Sequence, residues 1–206
     1  MELCYFISGI VVAIAVVYGL KQIALLKKDI HLRNDRAAKE KAIEYGRRYL
    51  RDYVDLSRPF EQEFQGASLG PYFGPIGDFT SESIHQHPDA SAMARKRYAL
   101  PSWLPAMNEL EAISASFTTG VADEATGFKI FGRSFCKSVE LNYDLISLSR
   151  DRGQSAQGYW ANIVKLYKMW APRLEEVELR QAKEHLDSRI ATVSAQSAPL
   201  PPIGAE

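Results

Sequence analysis

The stretch LPAMNELEAISASF, Leu104–Phe117, decides the fold class. Its apolar residues Leu104, Met107, Leu110, Ile113 and Phe117 recur every three or four positions, the spacing that lines one face of an α-helix. Pro105 suits the entry, because the first helical turn has no use for the missing N–H. Gly120 suits the exit. Working outward, Asp123 stands where it can cap a second helix. That helix carries Phe128, Phe131, Phe135, Val139 and Ile146 and is expected to run to about Arg150. After a loop at Asp151–Ala156, a third begins near Gln157. Trp160, Ile163, Val164, Tyr167 and Trp170 form its inner face. Pro172 should break or kink it by removing a backbone donor and crowding the preceding turn. Arg173–Ile190 reads as a polar helical extension, and the proline-bearing tail 191–206 as disordered. No strand series and no repeat competes, so the expected class is all-α, with a small helical bundle over residues 104–190.

Far upstream, Leu3–Leu20 is a run of eighteen uncharged residues. At ~1.5 Å per residue it spans roughly 27 Å, close to the ~30 Å hydrocarbon core of a bilayer. Tyr5, Phe6 and Tyr18 lie near its ends, where aromatic rings favour the interface. A cleaved signal peptide would open with basic residues and close on small ones after a shorter apolar run. This chain opens Met1-Glu2. The expectation is therefore a retained transmembrane anchor over residues 1–26. Lys21, Lys27, Lys28, Arg33 and Arg36 follow at once, and positive residues stay on the cytoplasmic side. That makes a single-pass protein of the inner (cytoplasmic) membrane, N-terminus out and helical bundle cytosolic. The same five residues are the candidate membrane-surface contacts, at about 1 kcal/mol each near anionic lipid.

Net charge is zero, but Lys21–Arg51 holds ten Lys/Arg against four Asp/Glu. The remainder is acidic, which disfavours nucleic acid as a partner. Two cysteines make no disulfide framework; Cys136 reads as a small buried hydrophobe. Residues 27–57 read as a basic juxtamembrane stalk helix. Ala38, Ala42, Tyr45, Tyr49, Tyr53 and Leu56 form one stripe along it. A heptad seam at Ile23, Leu26 and Ile30 fails at Arg33, Ala37 and Glu40, so no extended coiled coil is expected. Over 58–103, five prolines and four glycines mark loops. Short helices are expected near Phe60–Phe64, capped by Ser57, and at Ala90–Tyr98, capped by Asp89. The aromatics Phe60, Phe64, Tyr72, Phe73 and Phe79 should fold this region back onto the helices.

The charged run Arg33-Asn34-Asp35-Arg36-Ala37-Ala38-Lys39-Glu40-Lys41-Ala42, directly after the apolar span, resembles the start of a bacterial domain-of-unknown-function family, DUF 4760. So do Asn108-Glu109-Leu110-Glu111 with Gly120-Val121-Ala122-Asp123-Glu124, then Phe131-Gly132 and Tyr159-Trp160. The likeness covers roughly Lys21 to Trp170. It implies a membrane-anchored helical protein and brings no activity or catalytic residue with it.

Metal-ligand residue types cluster only at His85-Gln86-His87, with Glu82 and Asp89 nearby. No third ligand stands at a zinc-site spacing, and a polar loop is the favoured reading. Cys136 and Ser134 lack a neighbouring base. Glu109, Glu111, Asp123, Glu124, Glu140 and Asp144 read as a solvated acidic face, and Arg95-Lys96-Arg97 as a charged face of a short helix. No cofactor is implied. The chain is expected to be a membrane-anchored helical module without catalytic motif, acting through protein interaction or self-association. Its partners would be the bilayer, a second copy and another protein. The alternatives are a membrane effector, such as a toxin or phage-defence component, and, third, a metal-dependent enzyme using the 58–103 loop.

Overall fold

The computed structural model describes the backbone of residues 2–86, 88–151 and 158–196, with side chains over 16–86, 88–150 and 158–193. The chain is all-α over these residues, with no strand among them. Helix α1 spans Glu2–Arg48. A π-helical turn, Tyr49–Tyr53, follows, and α2 spans Val54–Gly66. Arg48 and Val54 both keep right-handed helical dihedrals, so the three pieces form one continuous helical run. α3 is Ser81–His85 and α4 is Pro88–Tyr98. α5 is Leu104–Thr118, α6 Glu124–Leu141, α7 Tyr143–Asp151 and α8 Ala161–Gln196.

Among the described residues no helix is long and apolar enough to cross a membrane. Most of Leu3–Leu20 lies before the first described side chain, so the anchor stands as a reading of the sequence. His87, Gln157 and the end of the tail also lie outside the described residues.

The expected helices form, with several differences. Asp89 does not cap α4 but lies in its first turn, after Pro88. Ser81–His85, read as part of a polar loop, forms the short helix α3. Residues 191–196 of the tail read as disordered belong to α8. Ser57 does not cap a helix: it sits inside α2, where its Oγ donates to the Val54 carbonyl at 2.8 Å. Pro59 is carried within the same helix. The long helix expected to reach Arg150 divides at Asn142, where φ is −116°. Pro172 does not end α8, which continues to Gln196. The capping expectation at Asp123 holds: its Oδ1 accepts from the Thr126 N–H at 2.8 Å.

The core is an aromatic cluster centred on Trp170. Phe117, Phe128, Phe131 and Phe135 surround it, with ring centroids 5.2–5.8 Å away. Mostly edge-on contacts of this kind suit rings with negative faces and positive edges. Gly127 permits the approach of α5 to α6, since a Cβ there would lie 2.3 Å from Phe117. The region between α2 and α4 is drawn in by Tyr143. Its Oη accepts from the N–H groups of Gly77 and Phe79, at 3.0 and 3.2 Å. It also shares a hydrogen bond with Ser83. Phe60, Phe64, Tyr72 and Phe79 are buried, as their spacing between prolines suggested, whereas Phe73 stays exposed.

Two helical segments leave this core. Residues 20–37 of α1 are exposed without exception, and so are residues 175–192 of α8. The second carries Leu179, Leu186 and Ile190 in the open. At 3.6 residues per turn these three lie along one side of the helix.

Candidate functional site

The acidic residues read as a solvated face each have a structural partner. Glu109 pairs with Arg48. Glu111 takes the first turn of α8, accepting from the N–H groups of Asn162 and Ile163 and from Asn162 Nδ2, at 2.8–3.1 Å. Glu124 meets Trp170 Nε1 and Arg173. Glu140 lies 3.4 Å from the Tyr167 hydroxyl and 3.5 Å from Lys137.

Asp144 and Arg97 depart furthest from expectation. Neither is on a surface: their side chains are 1% and 2% exposed, with Oδ1 and Nη1 2.6 Å apart. The guanidinium also donates to the Leu141 carbonyl and to Asn142 Oδ1. It lies over the Phe64 ring at 4.8 Å. Arg97 thus satisfies the free C-terminal carbonyl of α6 at the point where that helix divides. Burial pushes the Asp144 carboxyl up to about 6, with Arg97 opposing the rise. A small cavity of about 230 Å³ adjoins the pair, walled by Phe60, Phe64, Leu69 and Pro71.

A larger cleft, of about 710 Å³, opens where the start of α5 meets the start of α8. Its aromatic wall is Tyr98, Trp103, Trp160 and Tyr159. Successive ring centroids are 5.3, 6.4 and 6.4 Å apart. Leu104, read as a core position of the deciding helix, is 44% exposed and lines this cleft instead. Glu111 and Asn108 supply its polar side, and no lysine or arginine is among the described lining residues.

The chain reaches Trp160 by an unusual path. Gly158 has φ +68° and Trp160 itself φ +60°. A positive φ is costly for a bulky residue and persists only where the surroundings enforce it. Arg150 holds the turn by donating to the Tyr159 carbonyl at 3.1 Å. The Nε1 atoms of Trp103 and Trp160 are buried and find no acceptor among the described residues. Each such group costs about 1–3 kcal/mol. The three features converge on one place. The sequence reading placed Trp160 on the inner face of the last helix, and no motif marked this place.

Of the four metal candidates, three lie among the described residues. Glu82, His85 and Asp89 are all exposed, His87 is outside the described residues, and among those described no three His, Cys, Asp or Glu side chains could share a metal. Lys21, Lys27, Lys28, Arg33 and Arg36 all lie exposed on α1, and Arg33 pairs with Asp29 at 2.9 Å. Cys136 is buried, and that burial pushes its thiol up to about 12, far from a reactive thiolate. An open groove of about 890 Å³ runs along α1 and the π turn from Glu40 to Asp52, on one side of a single helical run. No family model, curated protein or solved structure matches the chain.

Proposed function

We propose that the chain is a membrane-tethered helical module that acts by binding protein, with a second copy of itself as the first partner to test. The observation that carries this is the outer half of α8, exposed from residue 175 to 192 with Leu179, Leu186 and Ile190 along one side. A solvated helix of this length is marginal alone in water, and its stability in proteins comes from covering an apolar face. The tether is the uncharged run Leu3–Leu20, whose helical backbone continues without a break into the bundle. Exposed basic residues on the stalk suit an anionic inner leaflet.

Cell fractionation and cross-linking of the full-length chain test both parts. The expected result is carbonate-resistant membrane association and a specific cross-linked species. That species disappears in Leu186→Asp/Ile190→Asp while the thermal unfolding of the bundle is unchanged. Recovery as freely soluble protein removes the tether. Monomers alone, or a cross-linked species indifferent to both substitutions, remove the binding role of α8.

A further inference from the structure

The exposed part of α1 and the outer half of α8 leave the core beside the same point, the start of α6. The Ala38 carbonyl, where α1 begins to be covered, accepts from the Asp123 N–H at 2.9 Å. Half-buried Arg173, on α8, meets Glu124 in the first turn of α6. From there both arms stand in solvent, residues 20–37 on α1 and 175–192 on α8. Their charges are opposite. The α1 arm holds five Lys/Arg against two Asp/Glu, a net of +3. The α8 arm holds three against five, a net of −2. Each carries a short apolar seam among those charges. On α1, Leu26, Ile30 and Ala37 share one side, with Lys27 and Arg33 beside them. On α8, Leu179, Leu186 and Ile190 share one side, with Glu175, Glu176 and Asp187 beside them. Lys183 lies within that stripe, where its methylene stem extends the apolar surface. Pairing inside the arms takes up Arg33 with Asp29 and Arg180 with Glu176, and Glu178 turns to Arg133 on α6. Among the described residues Lys27, Lys28 and Arg36 remain for a partner on α1, and Glu175, Glu184 and Asp187 on α8.

We infer that the outer half of α8 docks on the basic arm of α1 in a second copy, and that copy's α8 on the α1 of the first. A second α8 would set one acidic arm against another, and an anionic lipid surface repels it for the same reason. The α1 arm is basic, apolar along one side and uncovered, and a two-fold pair makes the contact twice. This rests on the reading of α8 as the binding arm and names the surface it binds.

Cysteine cross-linking between two differently tagged full-length copies tests it. The background is Cys4→Ser, in which Cys136 stays buried. Asn34→Cys on one copy and Ala182→Cys on the other place thiols at exposed, uncharged positions beside the two seams. The copies are reconstituted together in phosphatidylcholine vesicles, where no anionic lipid competes for α1, and treated with a short flexible bismaleimide. The 34–182 product between copies dominates, and the 182–182 product is minor. Glu175→Lys/Glu184→Lys/Asp187→Lys lowers the 34–182 yield about fivefold while the thermal unfolding of the bundle is unchanged. Arg33→Glu/Arg36→Glu on the partner copy restores it, and Lys21, Lys27 and Lys28 remain next to the apolar span. Three results overturn the inference. A dominant 182–182 product makes α8 its own partner, so α8 stays the binding arm and the choice of surface alone fails. No product at either pairing removes the binding role of α8 itself. A charge reversal on α8 that leaves the 34–182 yield unchanged, or that the α1 reversal does not rescue, removes the complementarity on which the contact depends.

Discussion

The two halves of α8 have the same sequence grammar and opposite fates. From Ile163 to Trp170, apolar side chains recur every three or four residues and vanish into the core. From Leu179 to Ile190 they recur at helical spacing again and meet solvent. Amphipathic periodicity therefore specifies a helix and a face, but not what covers that face. Coverage depends on what the rest of the chain brings alongside. The inner half meets α5 and α6, whereas residues 175–192 stay exposed.

The largest effect expected is on the inner half. Trp170→Ala removes the ring around which four phenylalanines pack, and should cost about 4 kcal/mol in urea unfolding. A loss below ~1 kcal/mol would mean that the inner half is no better covered than the outer.

Next in size is the polar part of the interior. Arg97→Met leaves the buried Asp144 carboxylate without its cation and should cost about 3 kcal/mol at pH 7.5. The pH dependence has a definite sign. The folded Asp144 keeps its proton up to about pH 6, while an unfolded aspartate gives it up near ~3.9. Its contribution to stability is therefore full below ~pH 4 and is lost as the pH rises towards 6. The cost of Arg97→Met should shrink at pH 4, where Asp144 is neutral in the folded protein. Equal costs at both pH values would show that the guanidinium matters only for its hydrogen bonds to Leu141 and Asn142.

The smallest effect belongs to the outer half. Leu179→Ala or Leu186→Ala should change the unfolding free energy of the dilute monomer by less than ~0.5 kcal/mol. A larger loss that grows with protein concentration would show the arm already covered by a second copy.

Much of the fold is legible from local signals. Residues 104–117 announce their helix by spacing, Asp123 its cap by residue type, and Gly120, with φ +78°, its exit by conformational freedom. Each depends on neighbours a few positions away, so the chain alone determined an all-α protein and the helix that starts after Asp123, but not α3, the division at Asn142 or the run of α8 past Pro172. Other features needed partners far apart in sequence. Arg97 finds Asp144 47 positions away, and Glu111 finds Asn162 51 positions away; on a helical wheel both acids are merely polar. Leu104 keeps the period of its helix yet faces the cleft, because Trp103 and Trp160 meet beside it. Burial is a property of the assembled bundle, and so tertiary structure alone decided which charges went inside, which apolar stripe stayed out and where the aromatic cleft opened.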